Sequence, residues 1–299
     1  YDLPSIIINI CGRVVMLQQY HGGDNGMSQT GRESPSKQLS LPTVLASGCE
    51  TIWFPRDTNE EKPHLTASLW LYCGVHGMRV WLPVFPRHGD HGHTFMSKRI
   101  MLHFPIEDFY PLAILFEDAI ILGAEHDTVL YNSNSISMTC LPYSTLQRTS
   151  SLFLHPILRQ LIRRNLGYHA WEIARTCMTL PYFQHSLELL LHEVLEEEAT
   201  SNEPIPDALL PSVIEFIQEF PVFLQTIGRC ARKTEVALWP HLFSVVGSPR
   251  QLFMECIGTH DLETAASYLL ILQNLEPPAV AQSNATILLD AALDRCAWD

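Results

Sequence analysis

Three groups of residues in this chain have types and spacings that bear on chemistry. The string His192-Glu193-Val194-Leu195-Glu196 begins like the helical zinc motif His-Glu-x-x-His. In that motif two histidines one helical turn apart hold the metal and the glutamate acts as general base. Here Glu196 stands where the second histidine is required, so the string offers one imidazole and carboxylates. A solvated helix face is the better reading. His88, Asp90, His91 and His93 crowd into PRHGDHGHTF. That density suits a divalent ion, but a glycine-rich loop has no rigid element to fix ligand geometry, so a structural or adventitious role is expected. The third group is charge. Arg159, Arg163 and Arg164 form the one notable basic cluster of an acidic chain, and Glu193, Glu196 and Glu197 form an acidic one. Each reads either as a solvated face or as a surface for a partner; for the arginines that partner would be acidic, a protein or a phosphoinositide. Neither a G-x-x-x-x-G-K-[ST] phosphate loop nor a G-x-S-x-G nucleophile elbow occurs. No catalytic residue, cofactor site or metal site is expected, and these six charged residues are the candidates for partner binding.

The elements that carry these groups change character along the chain. From residue 1 to about 148 the pattern is strand-like. Ile6–Ile10 and Val14–Leu17 are short apolar runs separated by Cys11-Gly12-Arg13, and Gly22 to Lys37 is a surface loop rich in Gly, Ser, Asn and Pro. Leu69–Cys73 and Met78–Leu82 flank Gly74-Val75-His76-Gly77, which predicts a hairpin. Ala119–Leu122 and Thr128–Tyr131 flank Gly123 to Asp127, which predicts a second hairpin of the same design. The string with Gly74, Gly77, Val80 and Trp81 resembles a strand pair of a WD-type propeller blade, with a sandwich as the alternative.

From about residue 149 to 299 the period becomes helical. Leu154, Leu158, Leu161, Ile162 and Leu166 share a face, with Gly167 placed to end the helix. Phe183, Leu187, Leu190, Leu191, Val194 and Leu195 line one face of the next amphipathic stretch, with Pro181 in its first turn. Glu188, His192, Glu193, Glu196 and Glu197 take the opposite face. Ser248-Pro249 should start a helix that Gly258 stops, and Asp261 should cap the next, whose Ala265 and Ala266 allow close approach. Asn284-Ala285-Thr286 matches a glycosylation triplet, but Asn284 reads as a helix cap. Roughly eight short helices without sheet signals stack into an α-solenoid, a compact irregular helical domain being the alternative. The expected fold is therefore β then α: terminal blades of a WD-type β-propeller in 1–148, then an α-solenoid in 149–299.

Composition suggests a soluble acidic protein rather than one built around an acidic substrate. The chain has 299 residues, 46% hydrophobic content and a net charge of −13. That is enough for two cores. The acidity disfavours nucleic acid, which wants a basic face, and direct adhesion to anionic lipid. The 8 cysteines form no C-x-x-C pair, and buried free thiols in a reducing compartment are expected. An opening Tyr1 and a closing CAWD suggest a fragment of a longer protein.

Five strings carry a family resemblance. They are TLPYFQHSLELLLHEVLEEEATSNEPIPD (Thr179–Asp207), FLQTIGRCARKTEVALWPHLF (Phe223–Phe243), DLETAASYLLILQNLEPPAV (Asp261–Val280), SLWLYCGVHGMRVWLPVFPR (Ser68–Arg87) and YPLAILFEDAIILGAEHDTVLY (Tyr110–Tyr131). From about Leu65 onward the chain resembles the large subunit, of the Ric or "ribosome control" family, of the two-subunit exchange factor for a Golgi Rab GTPase. The resemblance implies a guanine-nucleotide exchange factor subunit that activates a Golgi Rab in retrograde, endosome-to-Golgi traffic. It implies a smaller arrestin-like partner subunit, no covalent catalysis, no cofactor, and a cytoplasmic location peripheral to Golgi membranes through the complex. In exchange factors generally a carboxylate can compete with nucleotide phosphate for the GTPase's lysine, one role open to the Glu193–Glu198 cluster. A vesicle-coat or tethering scaffold without exchange activity uses the same propeller–solenoid plan and is the alternative.

Overall fold

Leu69–Tyr72 reads LWLY, with no polar residue to alternate, and every one of its side chains is buried. A strand apolar on both faces needs a neighbour on each. In the computed structural model, which describes residues 5–20, 38–55, 61–83, 99–106, 109–131, 141–200 and 207–295, both neighbours are present. The described residues divide into two compact units, Tyr1–Phe153 and Leu154–Asp299.

The first unit is antiparallel β. Strand β2 (Arg13–Tyr20) pairs with β1 (Ser5–Ile10), β3 (Gln38–Leu39) and β4 (Thr43–Ala46). The strands β5 (Thr51–Trp53), β6 (Leu69–Tyr72), β7 (Met78–Pro83) and β8 (Arg99–Phe104) form a four-stranded meander, with a short helix α1 (Pro63–Thr66) ahead of β6. A third sheet has β10 (Ile120–Tyr131) between β9 (Phe109–Leu115) and β11 (Leu141–Leu152). On one face of β6, Leu69 and Leu71 join Val14, Met16, Leu45 and Trp81 in a buried cluster with the first sheet. On the other, Trp70 meets Phe104, Phe116 and Phe153 edge-on at 5.8, 6.2 and 4.5 Å between ring centroids. Sheets packed face to face in series are the blades of a propeller.

The hairpin expected at Gly74 to Gly77 is present as a 3-10 turn between β6 and β7. Gly77 has φ +71°, and a Cβ there would lie 2.5 Å from the Phe104 carbonyl, so no other residue fits without moving backbone. The second expected hairpin is absent. Gly123 to Asp127 run straight through β10 as part of one long strand. Gly123 is there because Phe109 and the Tyr110 carbonyl press on it, a Cβ meeting them at 2.3 and 2.7 Å, at a register shift in the β9–β10 ladder. The sheet extends further than the expected boundary too: β11 ends at Leu152 and α2 starts at Leu154. Its polar LQRTSSL segment lacks the apolar alternation of a strand.

The second unit is helical: α2 (Leu154–Arg163), α3 (Gly167–Cys177), α4 (Phe183–Thr200), α5 (Leu210–Gln218), α6 (Phe223–Lys233), α7 (Trp239–Val246), α8 (Pro249–Thr259), α9 (Leu262–Leu275) and α10 (Pro278–Asp294). Helix α4 packs on α2, α5, α6 and α7, and α9 packs on α6, α8 and α10. Two helix ends differ from expectation in the same way. Asn165 at φ +58°, not Gly167, closes α2, with the Leu166 N–H reaching back to the Leu161 carbonyl. His260 at φ +71°, not Gly258, closes α8, with the Asp261 N–H reaching the Cys256 carbonyl. Both are Schellman closures, in which one left-handed residue satisfies the last free carbonyls. Gly167 instead opens α3, and Pro181 lies in the turn before α4.

Asp261 caps α9 as expected: its Oδ1 accepts from the Thr264 N–H at 3.1 Å and its Oδ2 from Gln225 Nε2 at 3.0 Å. Ala265 is buried but Ala266 is exposed, and the close approach is made instead by Gly228 under the Tyr268 ring. Asn284 caps nothing. It is fully buried inside α10, where Nδ2 donates to Glu276 Oε2 at 2.9 Å, a position no glycan can occupy. Among the described residues Cys49, Cys73, Cys177, Cys230 and Cys256 are buried and in no disulfide, and burial pushes Cys230 up to about 11, too high for a nucleophile at neutral pH. Cys140, Cys296, the loop from Gly22 to Lys37 and the cluster of His88, Asp90, His91 and His93 lie outside the described residues.

Candidate interaction surface

His155, Arg159 and Arg163 follow one another at four-residue intervals on α2, and Glu193 and Glu197 do the same on α4. Residues four apart lie on one stripe of a helix, so two packed helices can match a basic stripe to an acidic one. They do. His155 Nε2 lies 3.0 Å from Glu193 Oε1 and Arg159 Nη1 lies 3.2 Å from Glu193 Oε2. Arg159 Nη2 also donates to Glu197, which takes Arg163 Nη2 at 2.9 Å. The predicted basic and acidic clusters are therefore brought together, chiefly against each other. Arg164 falls past the end of α2, off this stripe. Glu193 is half-buried in this ladder, contrary to the wet face expected for it.

Burial alone would raise the Glu193 carboxyl, but the hydrogen bond and charge of His155 and those of Arg159 outweigh it and hold it below its ordinary value. Glu197 is lowered likewise: burial opposes, and the hydrogen bonds and charges of Arg159 and Arg163 prevail. A carboxyl lowered on folding stabilises the fold fully above its unfolded value, ordinarily 4.5, and the gain is lost as pH falls through the lower folded value. Acidification below about pH 4.5 is thus expected to erode the stability of the helical unit. Urea midpoints across a pH series should show a shallower acid loss in Glu197→Gln than in the parent; equal slopes would show that the ladder carries no such linkage.

Two of the other carboxylates of α4, Glu188 and Glu198, are structural. Glu188, expected on the exposed face, is 5% exposed. It is held by Lys233 Nζ at 2.6 Å and Arg229 Nη1 at 3.8 Å, both reaching across from α6. Glu198 accepts from the Leu209 and Leu210 N–H groups at 2.5 and 2.8 Å, so its charge sits on the free donors and positive dipole end at the start of α5. Nothing local distinguishes Glu188 or Glu198 from Glu196; only their neighbours do. Glu196 alone fits the solvated description, its side chain 57% exposed and 3.6 Å from His192 Nδ1. His192 and Glu193 converge on no metal geometry, and among the described residues no three His, Cys, Asp or Glu side chains are grouped to hold an ion.

Stacked β blades followed along the chain by a helical solenoid define the fold class. The comparisons with known proteins specify it. Residues 2–149 match the RIC1 second beta propeller domain and residues 155–299 match the RIC1 C-terminal alpha solenoid region. The chain belongs to the RIC1 family. It is 51% identical over 307 residues to the mouse (Mus musculus) guanine nucleotide exchange factor subunit RIC1, covering 100% of this chain and 22% of that protein. The human (Homo sapiens) guanine nucleotide exchange factor subunit RIC1 is 51% identical over 99% of this chain and 21% of its own length. A Caenorhabditis elegans guanine nucleotide exchange factor subunit is 47% identical over 99% of this chain and 22% of its own length. The chain thus spans about a fifth of the length of these relatives.

Proposed function

We propose that the protein is a subunit of a guanine-nucleotide exchange factor that activates a Golgi Rab GTPase in retrograde traffic. The observation that carries this reading is the likeness along the whole chain to relatives named as exchange factor subunits. In this reading the protein works from the cytoplasm with a smaller arrestin-like subunit and is held at Golgi membranes through the complex. It makes and breaks no covalent bond. A GTPase holds its nucleotide with roughly 12–16 kcal/mol, and the factor acts by binding the nucleotide-free form better than the loaded one. Accelerating release about 10⁴-fold needs on the order of 5.5 kcal/mol of such preference. Contacts spread over roughly 800 Å² of each partner supply it, an area suited to blade and solenoid faces rather than to a pocket.

Of the six charged candidates, Arg159, Glu193 and Glu197 are largely spent on the α2–α4 ladder. Arg163, at the exposed end of that ladder, and Arg164 and Glu196 beside it are exposed and are the candidates offered to a partner. The test is release of labelled nucleotide from a Golgi Rab by the full-length protein, with and without the small subunit. Stimulated release that requires both subunits is expected, and Glu196→Lys, which leaves the ladder intact, should weaken assembly or release at unchanged melting temperature. Stoichiometric binding of the Rab without faster release would replace exchange by a tethering or coat role.

A further inference from the structure

A cleft of about 560 Å³ in the helical unit lies outside the charge ladder, lined by Ile162 at the end of α2, Tyr168 and Trp171 on α3, and Glu215, Phe216 and Glu219 along α5. Its floor is apolar, with Ile162 and Phe216 buried, and its volume is that of a site for a few side chains. Tyr168 and Trp171 stand one turn apart with their rings 6.4 Å from centroid to centroid and 31° from parallel. The Trp171 ring already accepts a guanidinium: Arg175 lies 5.0 Å from its centroid.

The rim carries charge without relief. Glu215 and Glu219 are exposed, line the cleft, and make no ion pair or side-chain hydrogen bond among the described residues. They are four apart, so they repel each other. Glu219 also stands at the C-terminal end of α5, where the helix dipole disfavours an anion. A cation placed between this rim and the aromatic rings would relieve all three penalties, and a long apolar stem would cover the floor. Arginine meets these demands better than lysine, because its planar fork both stacks on rings and bridges carboxylates.

We propose that this cleft docks a basic segment of a partner protein, presenting an arginine beside an apolar residue. The test uses the whole chain and a fluorescent helical peptide with Arg and Leu at four-residue spacing, read by anisotropy. The peptide is expected to bind and to weaken as salt rises. The double variant Glu215→Gln, Glu219→Gln should weaken it on the order of tenfold at low salt with an unchanged melting temperature, and Tyr168→Ala should do the same. The chain is acidic throughout, so Asp290→Asn, Asp294→Asn, both exposed on α10, control for general attraction and should leave affinity unchanged. The proposal is overturned if the peptide does not bind, if a matched Glu/Leu peptide binds equally well, if the cleft variants bind like the parent, or if the α10 pair costs as much. Nucleotide exchange is not read in this experiment, so its outcome is separate from that of the exchange assay.

Discussion

Trp70→Ala is expected to lower the stability of the β unit by about 3–5 kcal/mol. Trp70 is fully buried at the centre of β6, and its ring is edged by Phe104, Phe116 and Phe153. Truncation removes the transfer energy of the ring and leaves a cavity that three rigid rings cannot close. The indole also has a polar task. Its Nε1 donates to Ser68 Oγ at 2.8 Å, and that hydroxyl donates to the Leu65 carbonyl at 2.5 Å, in a buried chain. Trp70→Phe keeps a ring among the aromatics but withdraws the donor from Ser68, so it should fall between parent and Ala. Guanidinium midpoints of the three proteins measure the series. A loss below about 1 kcal/mol for Trp70→Ala would mean that the sheets are not tied together through this ring.

Leu191→Ala should cost the helical unit about 2–5 kcal/mol. Leu191 is fully buried on α4, the helix that packs on α2, α5, α6 and α7, so its truncation leaves a cavity in a close-packed interior. The same helix holds Glu188, Glu193, Glu197 and Glu198 against their partners, so loosening it should also weaken the ladder and the start of α5. Leu289→Ala on α10 is the control: that side chain is 58% exposed and its truncation should change stability by less than about 0.5 kcal/mol. Melting followed by helical circular dichroism reads both. Equal melting temperatures for the two variants would remove α4 from the centre of the unit.

The change from strands to helices was legible in the sequence, because a two-residue period and a 3.6-residue period leave different marks on which residues avoid water. The turn at Gly74 to Gly77 and the Asp261 cap were legible for a similar reason: one residue type satisfies a backbone need within a few positions of itself. The family was legible in long ordered strings. Less was legible of the surface. Arg159, Arg163, Glu193 and Glu197 were visible as charge but not as partners, although their common four-residue spacing, with His155, was a signal that two stripes match.

Tertiary structure decided the rest. Glu188 and Glu196 are both acidic residues of one helix, and one is buried against Lys233 while the other is in water. That difference comes from α6, some forty residues away in the chain, packing on one side of α4 and not the other. Gly123 reads locally as a turn and serves in a long strand because Phe109 and Tyr110 occupy the space a side chain would need. Asn284 reads as a cap and is buried beside Glu276 within α10. Periodicity and local hydrogen bonding determine which segments form and which stripe each one must hide. Which stripe meets which, and so which charges stay free for another protein, is set by contacts between segments far apart in sequence.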